Sequence, residues 1–309
     1  AGGDIIVAAA NPSPAATTVN VLGITEIAGN GDIDVLTNGY IALTEKTGDM
    51  RVERIRSNAS DVLLYSPLRI LDANDDNGDP TSIEADVSGR NITLAAGVGL
   101  FNPTHFQVAA QVLSPTLLDI NSPLGGIGDP SNFLEINVDN RNGVGGLGVL
   151  RAFDISADST LGIFLDEVVG DMHVHTVHTI RDVSLRTVAG SILDSRNNGA
   201  GDDLANVMGQ TIDLDANGNG SIGAFANDLE IDSSRGSSDE DVALEAGNNI
   251  YLAEAPEAGG GTAGNLRLAL AHAYDGDIRI TVRETSVQGE NLHLLHSGSA
   301  RFGEDGATF

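Results

Sequence analysis

The chain has 309 residues, a formal charge of -28 and a single Lys (Lys46) among its 16 basic residues. So few cations leave no basic stripe to neutralise nucleic-acid phosphates, and they disfavour an anionic membrane surface. No apolar run is long enough to span a bilayer as a helix, and with no Cys neither disulfides nor thiol chemistry takes part.

The apolar content is ordinary, but its makeup is not: there is no Trp, 4 Tyr and 8 Phe, with 38 Gly and 9 Pro. A core of Val, Ile, Leu and Ala suits stacked rows of like side chains, and abundant Gly implies many tight turns. The charge makes copies repel, a repulsion that salt or divalent cations relieve. A saline or calcium-rich location, extracellular or at the cell surface, is the expectation.

Along the chain, apolar-polar-apolar triplets predict short half-buried strands with two side chains inward and one outward. They begin with Ile33-Asp34-Val35, Ile41-Ala42-Leu43 and Met50-Arg51-Val52 and continue through Ile92-Thr93-Leu94, Leu134-Glu135-Ile136, Ile212-Asp213-Leu214 and Ile278-Arg279-Ile280. Gly, Asn and Asp clusters between them carry turn chemistry. The opening Ala-Gly-Gly-Asp-Ile-Ile-Val itself reads as mid-repeat, as a segment of a longer or processed protein reads.

The triplets belong to a longer repeat. Gly48-Asp49-Met50-Arg51-Val52-Glu53 returns as Gly170-Asp171-Met172-His173-Val174-His175 and as Gly276-Asp277-Ile278-Arg279-Ile280-Thr281. Ile70-Leu71-Asp72 answers to Ile192-Leu193-Asp194, and Ile127-Gly128 followed by Asn132-Phe133-Leu134-Glu135-Ile136 answers to Ile222-Gly223 followed by Asn227-Asp228-Leu229-Glu230-Ile231. Long-period repeats of this kind belong to stacked architectures. The expectation is one continuous solenoid over 1–309, with modules at 1–47 (partial), 48–169, 170–275 and 276–309 (partial). Two folds fit: a right-handed parallel β-helix of roughly a dozen coils of about 20 to 30 residues, or tandem immunoglobulin-like β-sandwiches. Strand brevity and the missing Trp favour the β-helix.

The phrases Gly-Asp-Met-x-Val, Gly-Asn-Asn-Ile-Tyr-Leu-Ala-Glu and Ser-Ile-Gly with a following Asn-x-Leu-Glu-Ile resemble large bacterial exoproteins of the filamentous-haemagglutinin type, over most of residues 30 to 300. The resemblance implies a β-helical shaft and a role in adhesion, surface display or matrix building. It carries no catalytic residue to this chain.

Three acidic turns offer oxygen ligands that calcium could use: Asp72, Asn74, Asp76 and Asp79; Asp194, Asp202 and Asp203; and Asp215, Asn217 and Asn219. The last matches the opening of an EF-hand loop but has Ala226 where the closing Glu belongs. Asn, Asp and Gly also form turns without any metal. His173 and His175 alternate along a strand and, with His178 nearby, offer a second metal-binding pattern, yet the equivalent positions Arg51 and Glu53 make this row variable surface. Carboxylates are common throughout; Asp75/Asp76 and Asp202/Asp203 are conceivable acid-base pairs for hydrolysis, but adjacent strand residues face opposite sides. The sequence therefore points to a structural shaft rather than an enzyme, stacking on copies of itself or on neighbouring segments of a longer chain. The alternative is a glycan- or protein-receptor-binding module, with His173/His175 and the insert from Pro115 to Asn142 as its places; a polysaccharide lyase or hydrolase ranks below it.

Overall fold

The computed structural model describes residues 5–9, 24–74, 84–97, 125–138, 148–154, 161–196, 205–233, 241–255, 265–283 and 291–295. Of the proposed calcium ligands, Asp76, Asp79, Asp202 and Asp203 lie outside these residues, as do Asp75 and much of the Pro115–Asn142 insert.

The chain is a right-handed parallel β-helix built from short strands, and it divides into two compact units, Ala1–Val168 and Val169–Phe309. In the first unit one sheet runs β1 (Ile5–Ala9), β3 (Ile33–Thr37), β5 (Met50–Ser57), β8 (Val87–Gly89), β10 (Leu134–Val138) and β12 (Gly162–Glu167). The other runs β2 (Ile24–Ile27), β4 (Ile41–Glu45), β6 (Val62–Tyr65), β9 (Ile92–Ala96) and β11 (Leu150–Asp154), and the short β7 (Ile70–Asp72) pairs beside β5. In the second unit one sheet runs β13 (Met172–His178), β16 (Val207–Met208), β18 (Leu229–Asp232), β20 (Ile250–Glu254) and β22 (Ile278–Val282), with β15 (Ile192–Asp194) beside β13. Its partner sheet runs β14 (Asp182–Thr187), β17 (Ile212–Ala216), β19 (Val242–Ala246), β21 (Leu266–Ala273) and β23 (Leu292–Leu294).

The strands within each sheet pair in parallel, each with a strand of the next coil. Immunoglobulin-like sandwiches are antiparallel, so the alternative architecture is overturned by strand direction. Coil length follows the expected range: equivalent corners lie 20 residues apart at Asp49 and Arg69 and 30 apart at Ser191 and Ser221.

Parallel stacking in register puts like side chains into columns. Ile41, Val62, Ile92 and Leu150 form one such column in the first unit, each fully buried. In the second unit Ile192, Ile222 and Ile250 form another at a corner, again fully buried. Burying each such side chain stabilises by roughly 1.5–3 kcal/mol. The half-buried triplet expectation needs one correction: β4, β6 and β9 are buried along their whole length. Outward residues such as Thr93 sit between like positions of adjacent coils, about 4.8 Å above and below, which removes them from water as well.

The scarce arginines link successive coils. Arg51 meets Asp32, Arg54 meets Asp34, Arg69 meets Asp49 and Arg90 meets Asp61, at 2.6–2.8 Å. These pairs are part-exposed, and each contributes at most about 1 kcal/mol.

Candidate functional site

The same corner is built twice. In each unit an Ile-Gly turn closes with a reciprocal backbone pair, Asp129 with Asn132 and Ala224 with Asn227. Gly128 and Gly223 need φ values of +66° and +68°, and their amides donate to the carbonyls of Ile70 and Ile192, the first residues of β7 and β15. A conformation of this kind is one that side-chain-bearing residues rarely adopt, which explains why the dipeptide recurs as Ile-Gly. The following residues lead into β10 and β18, which carry Glu135 and Glu230.

In the first unit this arrangement gathers Asp72 from the end of β7, Asp86 just ahead of β8 and Glu135 on β10. The three carboxyl groups are buried, and one oxygen of each lies within 4.8 Å of the others. Asp72 Oδ1 accepts the Asn74 amide at 2.7 Å, which caps the turn, and Asp86 Oδ2 accepts the Glu135 amide at 3.2 Å. Burial, then the charge of Asp72, then the hydrogen bond and charge of Glu135 push the Asp86 carboxyl up to about 10, against the pull of the Glu135 amide. Three carboxylates so close cannot all ionise without a compensating positive charge.

In the second unit the corner has Asp194, Asn206 and Glu230. Asn206 Nδ2 donates to Asp194 Oδ1 at 2.5 Å and to the Val174 carbonyl at 3.1 Å, and Asn227 Nδ2 donates to Asp194 Oδ2 at 2.8 Å. Arg283 donates to Glu230 Oε1 at 2.7 Å, and Arg196 stands 4.0 Å from Asp194. This corner therefore meets its carboxylates with amides and guanidinium groups.

Beside it lies an open groove of about 160 Å³ whose walls include Phe225, Asp228, Glu230, Arg279 and Arg283. Phe225 is 77% exposed, packs edge-on to Tyr251 and has the Arg279 guanidinium 5.3 Å from its ring centre. Arg279 pairs with Asp228 and donates to the Phe225 carbonyl at 2.9 Å, so the aromatic ring is held on a fixed turn.

The expected calcium ligands fall out as follows. Asp72 and Asp194 are buried in the two corners rather than displayed on open turns, and Asn74 is exposed, with its Nδ2 donating to the Glu53 carbonyl at 3.3 Å. Asp215 sits half-buried on β17 with Arg186 and Glu245 as ladder neighbours, while Asn217 and Asn219 are exposed at the next turn. His173 and His175 lie half-buried on β13, with Leu193 beside His173 and Thr176 Oγ1 3.0 Å from His175 Nδ1, and His178 is buried further along against Met208. Asp86, Glu135, Asn206 and Glu230 were not among the expected site residues. The sequence signal for Asp86 and Asn206 is the match of Ala85-Asp86-Val87-Ser88-Gly89 to Ala205-Asn206-Val207-Met208-Gly209, and that for Glu135 and Glu230 is the repeat that follows the two Ile-Gly dipeptides.

Set against known proteins, the chain matches no family model, no curated protein and no solved structure. What stands of the exoprotein resemblance is its coarsest element, a repetitive all-β solenoid with parallel strands.

Proposed function

We propose that this β-helix is a length of shaft in an extracellular filament, adhesin or matrix fibre, and that it extends by adding coils from a second copy or a neighbouring segment. The observation that carries this reading is the last described coil. Ile278 continues the column of Ile192, Ile222 and Ile250, yet it is 46% exposed where they are fully buried. Leu292 and Leu294 on β23 are 43% and 73% exposed, although Leu266 and Leu268, their ladder partners, are buried. Among the described residues these apolar columns end on β22 and β23, and an apolar column exposed in this way favours pairing with a further coil. Calcium enters as a counter-ion: with a formal charge of -28, copies approach only when salt or a divalent cation screens them.

Negative-stain micrographs of the purified protein over a concentration series, with calcium and with chelator, test this. Rods should lengthen with concentration and with calcium, and Leu292→Lys with Leu294→Lys should hold them at a single length. Rods of one length in the unsubstituted protein at every concentration would sink the stacking reading.

A second reading has its own observation, the exposed Phe225 above paired carboxylates and guanidinium groups. An aromatic face flanked by such groups suits a neutral sugar ring, stacking on one side and accepting hydroxyl hydrogen bonds on the other. Phe225→Ala is expected to abolish neutral-glycan binding on an array while leaving the unfolding midpoint within a few degrees. Equal binding by the variant removes the groove from consideration.

A further inference from the structure

Positions 86 and 206 are structural equivalents, fixed by three matching hydrogen bonds. The amide of each donates to the glutamate carbonyl, Asp86 to Glu135 at 2.9 Å and Asn206 to Glu230 at 2.7 Å. The carbonyl of each accepts a strand amide, from Ile55 at 2.5 Å and from Val177 at 2.7 Å. One side-chain oxygen of each accepts the glutamate amide, Asp86 Oδ2 from Glu135 and Asn206 Oδ1 from Glu230, both at 3.2 Å. With that branch occupied, the other branch of Asn206 is its NH₂ group, and it donates to Asp194. In the first unit the corresponding branch is a carboxyl oxygen, the residue corresponding to Asp194 is Asp72, and oxygens of Asp72, Asp86 and Glu135 lie within 4.8 Å of one another, with the Glu135 carboxyl as hydrogen-bond partner of Asp86. An ionised Asp86 would set acceptor against acceptor there, whereas an O–H restores the donor.

We propose that Asp86 carries a structural proton: it is a neutral carboxylic acid that does in the first unit what the Asn206 amide does in the second. The proton is the ligand of this corner, and it makes the first unit acid-favoured. The charged groups around it agree. Asp72 faces it from β7 and Glu135 from β10, and Asp166 on β12 is the ladder partner of Glu135. On β5, which pairs with β8, Arg54 is engaged with Asp34 and has Glu53 and Glu84 close by. Burial, then Asp72, then Glu135 favour the protonated form.

The sign follows from linkage. A carboxyl whose folded pKa lies above its unfolded value holds a proton that the unfolded chain has released. Its contribution is fully present below the unfolded pKa and is lost steadily as pH rises towards the folded one.

The test is a reciprocal swap, Asp86→Asn and Asn206→Asp, each followed by unfolding midpoints from pH 4 to 10. A ¹³C carboxyl titration of the wild type, with the Asp86 signal assigned by its loss in Asp86→Asn, accompanies it. The expected results are a wild-type midpoint that falls with pH by up to one proton's worth, and an Asp86→Asn midpoint that is flatter and higher above neutrality. Asn206→Asp should gain a pH slope, weakened by Arg283 and Arg196. The Asp86 carboxyl should remain protonated at pH 7. An ordinary Asp86 titration near pH 4, or an Asp86→Asn midpoint below wild type across the whole range, overturns the proposal. So does a calcium-induced rise of the wild-type midpoint that vanishes in Asp86→Asn, which would make the corner's ligand a cation. If Asp86→Asn does not fold, the slope of Asn206→Asp decides alone.

Discussion

Gly223→Ala is expected to cost about 3 kcal/mol or more in equilibrium unfolding, from a positive φ combined with a backbone clash. At φ +68° an Ala side chain is strained wherever it points, and here its Cβ would stand 2.0 Å from the Tyr251 carbonyl oxygen and 2.8 Å from the Leu229 amide nitrogen. Both are backbone atoms of adjoining strands, so relief means moving the coil. The bonds at risk are Gly223 N to Ile192 O at 2.8 Å and Tyr251 N to Ile222 O at 2.7 Å, which hold the corner column together. Gly128→Ala meets the Phe164 carbonyl at 2.2 Å and is expected to behave alike in its own unit. Gly48→Ala is the control: its φ is +136°, but nothing lies within 4 Å of the added Cβ. Its loss should be limited to backbone strain of about 1–2 kcal/mol. Equal losses at Gly48 and Gly223 would show that close approach between coils is not what the Ile-Gly turn is for.

The coils were legible because two local signals agree in this chain. Alternation marks the strands, and Gly, Asn or Asp clusters mark the corners. Ile212-Asp213-Leu214 and Ile92-Thr93-Leu94 therefore fall on β17 and β9. The repeated Ile-Leu-Asp became β7 and β15, short third strands that turn each corner. Strand direction was less legible, since a triplet looks the same in a parallel coil and in a sandwich. Short strands and aromatic poverty argued for the coil only indirectly.

The corner cluster was not legible from composition. Carboxylates are common throughout, and Glu135 lies 49 residues from Asp86 and joins it only because one coil stacks on another. Asp72 stood out as the head of an oxygen-rich turn, but nothing local says that its side chain turns inward. The informative signal was a difference between repeats. Two modules that agree at Asp72/Asp194 and Glu135/Glu230 differ at Asp86/Asn206, by an isosteric exchange of carboxyl for amide. Such an exchange at a buried position concerns hydrogen-bond donors rather than shape.

Arg283→Ala is expected to cost about 3 kcal/mol at pH 7, because it strands a buried carboxylate in the second unit. Glu230 is 3% exposed, and Arg283 reaches it at 2.7 Å from a side chain that is 23% exposed, which places the expected cost at the lower end for a buried pair. Burial already holds the Glu230 carboxyl above its ordinary range; the Arg283 hydrogen bond and charge pull it down, Asp194 raises it and Arg196 lowers it. Removing Arg283 deletes the strongest downward pull, so the folded-state pKa of Glu230 rises further. Below the unfolded glutamate pKa, Glu230 is protonated in both states and the variant should lie close to wild type. Just above that value the unfolded chain releases the proton while both folded proteins still hold it, so the deficit opens only once wild-type Glu230 ionises and then grows until the variant's higher folded pKa is passed. Unfolding midpoints at pH 4 and pH 7 read this directly. Adding Glu230→Gln to Arg283→Ala should recover much of the loss at pH 7 and flatten the profile. Arg54→Ala, which breaks the more exposed pair with Asp34, should cost no more than about 1 kcal/mol. A deficit for Arg283→Ala that is equal at pH 4 and pH 7, and that Glu230→Gln does not relieve, would mean that Arg283 supports the corner by packing its alkyl stem rather than by its charge.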